Sequence, residues 1–116
     1  HHLAESFERV NQAYFSGELE LPQLAWNRTI THRMLGNYQV AADRITLSQT
    51  LDDPRVPAWF IDFVIYHEAL HKHLGIPCQG GRRRAHTAEF RRWERRFARY
   101  ADAQDFMRQM GSLLGL

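Results

Sequence analysis

The apolar positions follow two periods along the chain. Leu3, Phe7, Val10 and Tyr14 recur at spacings of three and four, with Glu5, Glu8 and Arg9 off that line. This predicts an amphipathic first helix, ended at Ser16-Gly17 by a natural glycine cap. The period then shortens. Leu24 to Thr31 alternates in part and carries Trp26, Ile30 and two Thr, which predicts a strand. Leu35 to Val40 is a second, weaker strand, with Gly36 at a bulge or a close backbone approach. Ala42-Asp43 reads as a turn and Arg44 to Leu47 as a third strand. Three strands in succession, joined by short turns, suggest an antiparallel meander.

After a loop over Ser48–Val56 the helical period returns. Pro57 suits a first turn, and Trp59, Phe60, Phe63, Val64, Leu70 and Leu74 give a wide apolar surface. That width is expected of a helix buried on more than one side. Gly75 and Pro77 end it near Leu74. Cys78 to Arg84 is a glycine-hinged basic loop. From about Thr87, the spacing of Phe90, Trp93, Phe97 and Tyr100 predicts a helix with one inward face. A last helix, about Asp102 to Leu114, carries Phe106, Met110, Leu113 and Leu114. The expected fold is α+β. A small three-stranded antiparallel sheet packs with an N-terminal helix, a buried central helix and C-terminal helices, in a single domain over residues 1–116.

Composition narrows the setting. The longest apolar run, Ala58 to Tyr66, is broken by Asp62 and is too short to span a bilayer, so no membrane association is expected. No secretory leader pattern is visible at the start. The single cysteine, Cys78, cannot form an internal disulfide, which favours a reducing, cytoplasmic setting. A monomer is the simplest expectation.

Charge is unevenly placed. From Lys72 to Arg99 nine basic side chains stand against Glu89 and Glu94, a net of +7. From His1 to His71 five arginines stand against nine acids, a net of −4. Arg82, Arg83 and Arg84 lie in the basic loop. Arg91, Arg92, Arg95, Arg96 and Arg99 lie on the outer face of the expected helix. A solvated, salt-bridged face is the plain reading of such a run. DNA is the candidate polyanion if the run has a partner.

The chemistry concentrates in His67-Glu68-Ala69-Leu70-His71. Residues four apart share a helix face, so two imidazoles can reach one metal ion. Glu68 sits where a general base for a water would stand. Seven His and seven Glu in 116 residues give roughly 0.02–0.03 such matches by random placement, so the motif carries weight. A catalytic zinc needs a third protein ligand and one open position. His73 is two residues past His71 and faces away on a helix. Cys78 is more ordinarily a half-buried thiol. His86 continues the line of Phe90, Trp93 and Phe97 and so points inward. Glu89, three residues on, shares that side. Spacing favours His86 and leaves Glu89 open.

The chain resembles the SprT-like metallopeptidase domain, the family of bacterial SprT and the eukaryotic DNA–protein-crosslink protease Spartan. Asn11-Gln12-Ala13-Tyr14-Phe15 with Gly17-Glu18-Leu19, Pro22 and Trp26 is similar to the family's opening. Leu35-Gly36-Asn37-Tyr38 and Ile45-Thr46-Leu47-Ser48 resemble its strand segments. His86-Thr87-Ala88-Glu89-Phe90 resembles its H-G-P-E-F element, with Thr87 and Ala88 in place of Gly and Pro. The resemblance implies a zincin-like fold with His67, His71 and His86 as zinc ligands. It also implies a substrate associated with DNA.

Together these readings predict a zinc-dependent endopeptidase acting on a protein or peptide by a metal-activated water, with Glu68 as general base. Tyr38, Tyr66, His32 and the arginines of residues 82–84 are candidate oxyanion donors. The competing reading is a nucleic-acid-binding or regulatory module with a structural zinc. Glu68 argues against it, because a structural site has no use for a base beside its ligand and closes with a fourth one.

Overall fold

The strand with the strictest alternation takes the middle of the sheet. The computed structural model describes residues 1–28, 34–76, 78–79, 82–83 and 85–114, giving the backbone for 78–79 and 82–83. In it β3 (Arg44–Ser48) buries Ile45 and Leu47 completely. Its neighbours are the half-buried β1 (Gln23–Asn27) and β2 (Gly36–Gln39), in the order β1-β3-β2. β2 pairs antiparallel with β3, Gly36 opposite Leu47 and Gln39 opposite Arg44. β1 pairs parallel with β3, Gln23 opposite Arg44 and Asn27 opposite Ser48. The expected all-antiparallel meander is therefore corrected to a mixed sheet. A parallel pair needs a connection of about a dozen residues or more, and the stretch between Asn27 and Arg44, with β2 inside it, supplies one. The most apolar strand sits between two partners and leaves the edges to the less buried ones.

α1 (Leu3–Tyr14) buries Leu3, Phe7 and Val10, the expected face. Its end is fixed by Ser16 and Gly17, both left-handed at φ 57° and 71°. The side chain of the buried Asn11 then clamps Leu19 at both backbone groups, donating to its C=O at 2.9 Å and accepting from its N–H at 3.0 Å. Ser6 and Arg9 of α1 both donate to Asp62, which ties this helix to the next.

α2 (Ala58–Leu74) is the hub. It touches α1, β2, β3 and the two C-terminal helices. Ten of its 17 residues are buried, which accounts for its wide apolar surface. Gly75, at φ 74°, ends it and donates to the His71 carbonyl. The loop before it is pinned by a short 3-10 turn, Gln49–Leu51, and by buried Leu51 and Val56.

The C-terminal part departs from expectation. The basic loop contains a two-residue antiparallel pair, β4 (Cys78–Gln79) with β5 (Arg82–Arg83). The expected basic helix is shortened to α3 (Ala88–Glu94), and the expected last helix is present as α4 (Tyr100–Leu113), starting slightly earlier. Between them Arg96, Phe97 and Tyr100 donate to the carbonyls three residues back. Tight turns of that kind satisfy the same spacing of Phe90, Trp93, Phe97 and Tyr100. The break is supported from α1, since the Tyr14 hydroxyl accepts from the Ala98 N–H at 3.0 Å. Phe97 then reaches the core against Tyr14, Phe63 and Tyr66. Residues 29–31 of the expected first strand, together with His32, Gly80, Gly81 and Arg84, lie outside the described residues. So do the side chains of Cys78, Arg82 and Arg83. Among the described residues no helix is long and apolar enough to cross a membrane.

Candidate metal centre

The site is assembled on two helices. His67 and His71 stand one turn apart on α2. His86 enters from the segment just before α3, whose start is fixed by Thr87. The Thr87 Oγ1 accepts from the Phe90 N–H at 3.2 Å, the N-cap geometry that holds a helix start. This is what Thr87 does at a position where the resembling pattern has Gly. The three imidazoles bring one nitrogen each within 4.8 Å of one another. The Nε2 atoms of His67 and His86 are 3.2 Å apart. Two nitrogens each about 2.0–2.1 Å from one tetrahedral ion would stand roughly 3.3 Å apart, so the spacing fits a shared metal. The rival Glu89 is exposed on α3 and takes no part in the cluster. His73 is exposed and packs its ring against Phe15 and Trp93.

Each imidazole is oriented differently. The Glu94 carboxylate, at the end of α3, accepts from Nδ1–H of His67. That bond fixes the tautomer and leaves Nε2 free to face His86. His71 stacks on Phe90, with centroids 4.5 Å apart and planes at 24°. Phe90 also lies 4.9 Å from His67 and 5.0 Å from His86, so one buried ring floors the whole cluster. The Nδ1 of His71 is buried and has no hydrogen-bond partner among the described residues. An orphan of that kind costs about 1–3 kcal/mol unless an ion or water supplies the partner. The donor set fits a metal ion held by His67, His71 and His86.

Glu68 is 5% exposed and makes no hydrogen bond to a described residue, yet it lines the cleft. Burial pushes its carboxyl up to about 7, and the charge of Glu94 adds to this against the opposing pull of His67. Burial also lowers His71, to about 4, with His67 and His86 adding to the effect, and it lowers His86. Burial would lower His67 as well, but the Glu94 hydrogen bond and the charges of Glu68 and Glu94 outweigh it, so His67 is raised. The β2 backbone lies directly against this base. A Cβ on Gly36 would meet Glu68 Oε2 at 2.9 Å and Val64 Cγ1 at 3.0 Å. Gly36 is thus at a close approach, and the absence of a side chain there makes room for Glu68.

A cavity of about 690 Å³ opens over the cluster, with Leu35 to Tyr38 of the β2 segment along one wall. A second hollow of about 710 Å³ continues along Tyr38 to Ala41, opposite Ile76 and Ala85. Two of the candidate oxyanion donors are engaged elsewhere. Tyr38 donates to Asp43 at 2.8 Å, and the fully buried Tyr66 donates to the Trp93 carbonyl. Sequence reasoning missed Glu94 and Phe90 as parts of the site. Phe90 stood in the inward line of its helix, but no spacing rule links Glu94 to His67.

The five arginines from Arg91 to Arg99 are all exposed. Arg91 and Arg92 lie exposed on α3, and Arg95 is exposed just beyond it. Arg96 stacks over Trp93 at 4.4 Å. Arg99 stacks over Trp59 at 4.0 Å and pairs with Asp102.

Comparison with curated proteins and with solved structures returns no match. The model of the SprT-like family matches residues 3–108, which spans all three strands of the mixed sheet, α2 and the three histidines. With nearly the whole length so matched, the chain belongs to the SprT-like family.

Proposed function

We propose that this chain is a zinc-dependent endopeptidase with a zincin-like arrangement, in which His67, His71 and His86 hold the metal and Glu68 is the general base. The observation that carries the reading is the buried Glu68, without a hydrogen-bond partner among the described residues, beside three converging imidazoles lining a cleft. Three nitrogen ligands with one side facing a cavity are the donor set of catalytic zinc. Bound there, zinc supplies Lewis acidity toward water and toward the scissile carbonyl. Glu68 takes a proton from the attacking water as the C–O bond forms. It returns that proton to the amine as the C–N bond breaks. Glu94 and Phe90 keep the imidazoles in place throughout. The two hollows along β2 give an extended chain room on both sides of the histidines, which supports cleavage within a chain rather than at its end.

The test is Glu68→Gln assayed for zinc content and for casein cleavage. We expect full zinc occupancy and a loss of hydrolysis of about 10²–10⁴-fold. Undiminished cleavage in that variant would exclude the mechanism. The exposed Arg91, Arg92 and Arg95 make no side-chain hydrogen bond or ion pair with a described residue. They favour a substrate that lies on DNA, and they are also what supports the second reading, a nucleic-acid-binding module with a structural zinc.

A further inference from the structure

The cleft changes chemistry one helical turn from the histidines. Phe63 and Val64 precede His67 and Glu68 by four residues on α2, about 6 Å back along the helix. There the wall is completed by Met107 and Met110 of α4, with Gln104 on the same helix and Met34 ahead of β2. Phe63, Val64 and Met110 are almost wholly buried, whereas Met34 is 59% exposed. None of these six carries a charge. Among the described lining residues, the ionisable groups are the three histidines, Glu68, Glu94 and Tyr38. Glu94 is bound to His67, and Tyr38 donates to Asp43.

We infer that this compartment is a specificity pocket for a long apolar side chain, that of Leu, Met or Phe, on the substrate residue adjoining the scissile bond. The inference rests on the peptidase reading above and adds what that reading leaves open, the kind of chain that is cut. Three observations carry it. The compartment is continuous with the histidine cluster, so its occupant is held within a residue's length of the reacting carbonyl. Its walls offer one polar side chain, Gln104, so a charged occupant would lose hydration without gaining a partner. Three of its six residues are methionines, whose unbranched thioethers adapt to apolar side chains of different shape.

The experiment uses the zinc-loaded full chain on unfolded casein, with cleaved bonds mapped by mass spectrometry. Matched peptides carrying Leu, Ala, Lys or Glu at the selected position follow. We expect Leu, Met and Phe to be enriched on one side of the cut bond. Replacing Leu by Ala or Lys should lower kcat/KM about 10–100-fold. Met107→Glu should shift the preference toward Lys and Arg at that position, a gain that misfolding cannot produce. Met34→Glu, at an exposed position, carries the same test should Met107→Glu fail to fold. Cleavage by wild type with no side-chain preference, or a preference for charged residues, would overturn the pocket while leaving the peptidase intact. So would an unshifted preference in both variants. No cleavage at all by zinc-loaded wild type would overturn the peptidase reading, and the pocket with it.

Discussion

At the scale of single residues, the centre depends on a side chain outside the ligand set. His67 is the imidazole with a protein acceptor on its far nitrogen, and that acceptor is Glu94. A carboxylate on Nδ1–H raises the ring's basicity and fixes which nitrogen faces the metal. Glu94→Gln keeps the size and removes the charge. It should weaken zinc binding about 10–100-fold, measured by competition with a chelator, with the circular dichroism spectrum unchanged. Equal affinity in the variant would mean that packing alone orients His67. His67, Glu68 and His71 were legible in the sequence because spacing on one helix forces them together. His86 was picked out by its line with Phe90, but it lies before α3 and is exposed, so the approach of that segment to α2, not helical spacing, brings it to the cluster. Glu94 was not, because its contact with His67 depends on how α3 crosses α2, and no periodicity within either helix encodes a crossing angle.

At the scale of elements, the β2–β3 turn is tied to α2 by one carboxylate. Asp43, left-handed at φ 47°, accepts from the Tyr38 hydroxyl and from both approaches of the Lys72 ammonium, at 2.7 and 2.8 Å. The Lys72 bond above all, opposed by desolvation and helped by Tyr38, holds Asp43 below its ordinary value. Desolvation, with the Asp43 bond second, pushes Tyr38 up to about 12. For a carboxylate with a depressed folded pKa, the stabilisation is fully present above the unfolded value of about 4 and is lost as pH falls through the folded one. The Asp43 side chain is 42% exposed, so solvent screens the pair and the contribution is modest. Asp43→Asn, which tolerates the same backbone conformation, should show a shallower fall in Tm than wild type between about pH 5 and pH 2. Superimposable melting profiles would remove the pair from the account of acid sensitivity. α1 and α2 were readable because each buries one long stripe, with a glycine at its end. The sheet order was not. Alternation tells which residues of β1 face inward, and it does so equally for a parallel and an antiparallel neighbour. The early end of α3 at Glu94 was hidden for a similar reason, since helix and tight turns both accommodate spacings of three and four.

At the scale of the whole molecule, the uneven charge is the feature that the sequence displayed most openly and that the fold only partly preserves. The stretch from Lys72 to Arg99 carries +7 against −4 for the stretch up to His71. The break after α3 divides its arginines between two roles. Arg96 and Arg99 lie on tryptophan rings, and Arg99 also pairs with Asp102. Arg91, Arg92 and Arg95, on and just after α3, are equally exposed and make no such contact with a described residue. Of these three, Arg91 lies near enough to the cluster for its charge to help lower His86. Stacked arginines contribute to packing at any ionic strength, whereas phosphate contacts release counterions, so salt separates the two roles. For duplex DNA, log K should fall linearly with log salt, each phosphate contact adding about −0.9 to the slope. Replacing Arg91, Arg92 and Arg95 together by Ala should flatten the slope by about 2–3, with zinc content and casein cleavage unchanged. Replacing Arg96 by Ala should instead lower thermal stability and leave the slope alone. Absence of DNA binding by wild type at low salt would return the three exposed arginines to the role of a solvated face. The proposed metal centre would stand, because the grouping of His67, His71 and His86 does not involve them.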